Sequence, residues 1–144
     1  MAETTTLGQR APASILQLTV RGALPGLPSA GRSAPFGGGV ALPVAPGRWW
    51  LLDADAPDAV GSVVELTDSR VVLRLSGPHA REVLAGLAAV DFSEAAFPPG
   101  AVAVTTGHHV PLLVHHAPDG AGYDLYVPRS CAAWLRALLA AEVG

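Results

Sequence analysis

Four of the five histidines in this chain come in adjacent pairs, His108-His109 and His115-His116. They are the first residues to weigh as metal ligands. In a hairpin arm the neighbours within each pair point to opposite faces, so at most one from each pair can converge on an ion. A carboxylate such as Asp119 would have to join them. Adjacent pairs also lack the i, i+4 helical or Cys-x-x-Cys spacing of closed metal sites, so the spacing predicts turn and edge-strand polarity and no metal. Asp53, Asp55 and Asp58 have no glycine at the bend a calcium loop needs and no bidentate Glu after them, and are expected to be turn carboxylates. Gly37-Gly38-Gly39 is not followed by the Lys-Ser/Thr of a phosphate cradle. Ser130 is placed as a helix cap, and Cys131 is expected to be a small buried apolar residue. No nucleophile stands beside an activating base, so no catalytic, cofactor-binding or metal residue is expected in this chain.

Composition narrows the function classes. At 144 residues, 50% hydrophobic and 15% charged, the chain is expected to form one domain with its own core. A formal net charge of −3 without a basic stripe argues against a phosphate-backbone partner, so no nucleic acid is expected. All nine cationic residues are Arg, which reflects a biased composition and removes Lys as a Schiff-base or general-base candidate. The lone Cys131 makes no internal disulfide, so a reducing compartment is expected. No run approaches a membrane span, and Met1-Ala2-Glu3-Thr4 does not start a basic region with an apolar core behind it. No membrane association and a cytoplasmic location are the expectations.

The elements that must position these residues are legible in part. Residues 1–12 are polar and expected to be a flexible N-terminus, with a single domain over 13–144. Residues 14–20 predict a strand. Residues 22–47 are dense in Gly and Pro and predict a long loop, too apolar at Leu24, Leu27, Phe36, Val40, Leu42 and Val44 to be a plain spacer and so expected to pack on a partner. Arg48 to Asp53 is a strand in which Trp49 and Trp50 face opposite sides, one for the core and one for a sheet edge or a partner. Phe36, Trp49 and Trp50 are therefore the candidate partner-interface residues. Ser62 to Leu66 predicts a strand in a hairpin with the next one.

In that next strand Val71, Leu73 and Leu75 alternate with more polar residues, and Ser76-Gly77-Pro78 stops it. Pro78 at a first helical position, with Ser76 or Gly77 as cap, predicts a helix over 78–88 that buries Ala80, Val83, Leu84 and Leu87. Strands follow at 101–106, 110–116 and 122–127, joined at His108-His109 and at Pro118 to Ala121. A final helix from Ser130 to about Glu142 is expected to bury Ala133, Trp134, Ala137, Leu138 and Ala141. This order defines an α+β fold, a mostly antiparallel sheet with two helices packed on one side.

Three runs carry a resemblance. Val63 to Leu84, with Leu75-Ser76-Gly77-Pro78 at its corner, then Asp91-Phe92 and Phe97-Pro98-Pro99-Gly100, and finally Tyr123 to Ser130, are together similar to the gamma subunit of heterotetrameric sarcosine oxidase. The likeness extends to Trp49-Trp50-Leu51-Leu52, while the first 45 residues carry none of it. The Leu-Ser-Gly-Pro corner alone also resembles the folate-binding domain of the glycine-cleavage T-protein and other aminomethyltransferases. The resemblance implies a non-catalytic structural subunit, working with alpha, beta and delta subunits to demethylate sarcosine oxidatively to glycine with tetrahydrofolate as one-carbon acceptor. It implies that FAD, FMN, NAD, tetrahydrofolate and zinc belong to those partner subunits and none to this chain. A stand-alone folate or small-ligand binding module is the alternative reading of the corner.

Overall fold

The computed structural model describes residues 4–12, 14–22, 24–57 and 61–143. Asp58, one of the three expected turn carboxylates, lies outside them. Where one domain was expected, the chain divides into two compact units. One joins Met1–Ala11 to Ser69–Gly144, and the other is Pro12–Asp68.

The first unit is an antiparallel sheet in the order β1-β7-β10-β9-β8, formed by β1 (Thr6–Arg10), β7 (Arg70–Ser76), β8 (Val102–Gly107), β9 (Val110–His116) and β10 (Tyr123–Pro128). Strands β8, β9 and β10 are the expected meander. Its first turn is His108-His109, with φ of 50° and 67°. Two successive positive φ values are type I′ geometry, whose twist matches the flanking strands. Strand β1 departs from the expectation of a flexible start. Its residues alternate across two faces and pair with β7 from Thr6↔Ser76 to Arg10↔Val72, a partner too distant in sequence for local pattern to reveal.

Helices α1 (Ala80–Leu87) and α2 (Arg129–Val143) cover one face of this sheet. α1 buries Ala80, Leu84 and Leu87, with Val83 packed at the margin, against Val71, Leu73, Leu75, Leu125 and Val127. α2 differs from its expected face. It buries Leu135 and Leu139, while Ala133, Ala137 and Ala141 are exposed and Trp134 keeps half its surface in solvent. Residues 131–141 are apolar almost throughout, so helical spacing fits more than one face. The larger leucines win the core because they remove more apolar area from water.

The second unit is also an antiparallel sheet, β3-β4-β5-β2-β6, from β2 (Ile15–Thr19), β3 (Ala34–Phe36), β4 (Gly39–Ala45), β5 (Arg48–Leu52) and β6 (Ser62–Glu65). The expected loop over 22–47 therefore holds two strands. Its glycines and prolines are the punctuation of those strands. Gly37 and Gly38, at φ of 55° and 88°, make the two-residue turn of the β3–β4 hairpin, Pro35 lies on an edge strand, and the ladder slips by a bulge between Pro43 and Ala45. Leu24, Leu27 and Phe36 pack against Leu18, Ala41, Leu51 and Ala54 of the same unit, so part of the apolar surface expected to meet a partner is spent internally. The expected hairpin between β6 and the following strand is absent. β6 pairs with β2, from Thr19↔Ser62 to Leu16↔Glu65, and β7 lies in the other sheet.

Candidate functional site

The corner after β7 is built from two segments far apart in sequence. Gly77 has a φ of +112°, and a Cβ there would stand 2.4 Å from the Thr5 Cα, so glycine is required both by the backbone and by the approach of the N-terminal segment. The expected cap by Ser76 or Gly77 is not made. The helix begins after His79, Pro78 lies in the preceding turn, and the His79 N–H donates to Thr5 Oγ1 at 2.9 Å. Ser76 Oγ instead pairs with Thr6 Oγ1 at 2.9 Å. A donor that could have met an anion at this helix start is thus satisfied by a threonine of the same unit. A cavity of about 410 Å³ opens beside the corner, lined by Thr5, His79, Glu82 and Glu142 among others. His79 and Glu82 stand 3.6 Å apart there, both largely exposed, which is a solvated surface pair.

Beneath the corner, on the helix-covered face, the Phe97-Pro98-Pro99-Gly100 run brings an aromatic ring inward. Phe97 meets Phe92 edge-on at 5.2 Å and lies parallel to the His116 imidazole at 6.3 Å, and that imidazole stacks on Tyr123 at 4.3 Å. His116 Nδ1 donates to the Phe97 carbonyl at 2.9 Å, and Arg81 Nε donates to the Tyr123 hydroxyl at 2.8 Å. Both hydrogen bonds hold the stack to partners within the unit, so it acts as a wedge under the sheet.

The opposite face of the same sheet carries the unit's buried charge. Asp124, the second residue of β10, is 1% exposed. Arg74, its neighbour in register on β7, donates through Nε at 2.6 Å and through Nη2 at 3.1 Å, and Arg10 of β1 donates through Nη1 to the second carboxylate oxygen. The hydrogen bond to Asp124 holds the Arg74 guanidinium above its ordinary range. On the other side Asp124 registers with His115 of β9. Burial lowers the His115 pKa to about 4; Asp124 opposes that shift, and Arg10, His116 and Arg74 add to it. At neutral pH the imidazole is therefore uncharged, and the Asp124 carboxylate lies between two guanidiniums. The arrangement ties three strands together by charge-assisted bonds.

The histidine pairs lie at the two ends of β9. The six residue steps from His109 to His115 span roughly 20 Å of strand, so the pairs cannot share an ion. His108 and His109 occupy the turn as expected. His115 and His116 do not have edge polarity, since β9 is an interior strand and both are buried. Among the described residues no group of three or more His, Cys, Asp or Glu is placed to hold a metal. Cys131 is half-buried at the start of α2, with Ser130 Oγ 3.8 Å from its sulfur, and Ser130 lies inside the helix, which begins at Arg129.

The three interface candidates all lie in the second unit. Phe36 and Trp49 share one face of its sheet and are half-buried, Trp49 donating its indole N–H to the Pro28 carbonyl at 2.9 Å. Trp50 is on the other face, 7% exposed, with its indole N–H on Gln17 Oε1 at 3.2 Å. The structure thus separates Trp50 from the other two. Sequence reasoning missed the Arg10–Asp124–Arg74 cluster. Its signal was present, an Asp inside Tyr123-Asp124-Leu125-Tyr126 and an Arg inside Leu73-Arg74-Leu75, charges at mid-strand where only paired charges can be buried.

A mostly antiparallel α+β chain, with two helices on one face of one sheet, is thus the class that the geometry defines. No family model and no curated protein matches the chain. Among solved structures it is similar to a chain of the heterotetrameric sarcosine oxidase from Corynebacterium sp. U-96 in complex with pyrrole 2-carboxylate. The TM-score is 0.78 at 22% identity, over 97% of this chain and 86% of that one. The likeness shows the fold. Among the described residues no helix is long and apolar enough to cross a membrane.

Proposed function

We propose that this chain is a gamma-type structural subunit of a heterotetrameric sarcosine oxidase, contributing to assembly and carrying no catalytic group of its own. The observation that carries the reading is the match in fold over 97% of the chain to a small chain of such a complex. It is supported by the motifs of the second half, whose physical roles are now clear. Phe92 and Phe97 wedge the core, Gly77 admits the N-terminal segment, and Tyr123 to Pro128 is the central strand that bears the ionic cluster. In this reading the partners are alpha, beta and delta subunits in the cytoplasm, the domain is of the folate-binding type in fold only, and FAD, FMN, NAD, tetrahydrofolate and zinc are held by the partners. Fold likeness to a folate enzyme does not bring its ligand with it.

The test is co-expression with the alpha, beta and delta subunits of a heterotetrameric sarcosine oxidase, followed by size-exclusion chromatography and sarcosine-dependent peroxide formation. The expected result is one peak containing all four chains in equal amounts, and loss of that peak when this chain is omitted. Companions that assemble and turn over fully without it, while it elutes alone, would overturn the reading.

A further inference from the structure

We infer that the β6 edge of the second unit is a strand-addition site, which takes an extended segment of a partner polypeptide bearing a cation opposite Glu65. The inference deepens the assembly role proposed above and rests on that reading for the partner's identity. Four large hydrophobic residues are exposed among the described ones, and two of them are the neighbours Val63 and Val64, at 44% and 48%. They sit on opposite faces of a strand whose four residues are all exposed. Leu66 N–H donates to the Ile15 carbonyl, and from that bond the antiparallel register runs outward through Leu16↔Glu65, Gln17↔Val64 and Leu18↔Val63. Alternation then turns the N–H and C=O of Val64 toward β2 and those of Val63 and Glu65 away from it. Among the described residues β6 pairs with β2 alone, so there the outward groups form an unpaired row with a valine on each side of it.

The other outer strand of this sheet lacks such a row. β3 is three residues long and carries Pro35, the usual means of blunting an edge. β6 has no proline, no bulge and no lysine. Unpaired N–H and C=O groups at strand spacing recognise extended backbone, and side chains on both faces select apolar residues at alternate positions. Charge supplies the remaining specificity. Residues 62–69 contain Glu65 and Asp68 and no cation, while Arg21 packs against Gly61 at the other end. A second copy of the chain is the poorer occupant. Pairing two four-residue strands buries far less than the ~1,000 Å² that a standing interface needs. A large partner supplies that area elsewhere.

Two substitutions test the edge without breaking the sheet. Val63→Pro removes an outward N–H that β2 does not use, and Glu65→Lys inverts the charge. The probe is a synthetic Thr-Val-Lys-Val-Thr-Val strand peptide added to the full-length chain, with amide exchange followed residue by residue. The expected result is slowed exchange at Val63 and Glu65, weakened about tenfold or more by Val63→Pro. Exchanging Lys for Glu in the peptide should weaken it severalfold, and Glu65→Lys should reverse that preference. In the co-expressed complex the same two amides are expected to be protected and Val63→Pro to reduce incorporation of the chain. Unchanged exchange with peptide at millimolar concentration, or protection that grows with the concentration of this chain alone, overturns the edge inference. A wild-type chain that binds the peptide yet never joins the companion subunits instead overturns the proposed function and leaves the edge standing.

Discussion

The two sheets tie a polar side chain into their interiors by different chemistry. In β1-β7-β10-β9-β8 it is the Asp124 carboxylate, held by Arg74 and Arg10 with His115 beside it. In β3-β4-β5-β2-β6 it is the neutral Gln17 amide, which accepts the Trp50 indole N–H at 3.2 Å. A buried charge costs several kcal/mol to desolvate and recovers it only through its partners, whereas an amide–indole pair has little to lose or gain. The first sheet is therefore tied by bonds that must all be kept. The second depends on apolar packing of Ile15, Leu18, Leu42 and Leu51.

Breaking the ionic cluster should have the largest effect. Asp124→Ala leaves Arg74 and the half-exposed Arg10 without their shared acceptor and is expected to cost about 3 kcal/mol in chemical denaturation. A loss below about 1 kcal/mol would show the cluster to be as hydrated as a surface pair. Next comes acid. Because the His115 pKa is lowered to about 4 from 6.5, the folded state binds fewer protons than the unfolded state between those values, and stability rises with pH there. The contribution is fully present above pH 6.5 and is lost as pH falls toward 4, about 2 kcal/mol of it by pH 5. Denaturation midpoints measured against pH should show this slope, and His115→Gln should flatten it. Gln17→Leu is the smallest, expected at about 1 kcal/mol with no pH dependence. A cost equal to that of Asp124→Ala would erase the contrast between the sheets.

Local pattern was informative where partners are close in sequence. The meander over 102–128 was legible because alternation, a histidine turn and Pro118-Asp119-Gly120 punctuate consecutive strands. The apolar spacing that placed α1 needed only eight residues. What escaped depends on distance. Strand β1 pairs across some seventy residues, β6 skips its neighbour for β2, and the carboxylate of Asp124 on β10 draws its two ligands from two other strands. Between 22 and 47 the density of Gly and Pro was taken as absence of order, when Gly37-Gly38 and Pro35 mark where order turns and stops. The face of α2 was ambiguous for the opposite reason, an excess of apolar choices. Phe36, Trp49 and Trp50 were chosen for their type, and the structure spends both indole N–H groups inside the unit; the exposed valines of β6, unremarkable by type, present the open edge.

The antiparallel pairing of Thr6 with Ser76 also has a consequence in time. The whole of Pro12–Asp68 is spelled out between the two halves of that ladder. As the chain leaves the ribosome, β1 emerges first and waits without a partner, while every strand of the inserted sheet becomes available before β7 does. The cap that Thr5 gives to α1 is made later still. The order of synthesis thus makes the insert the unit able to complete itself before its host, and leaves β1 to be stitched in after it.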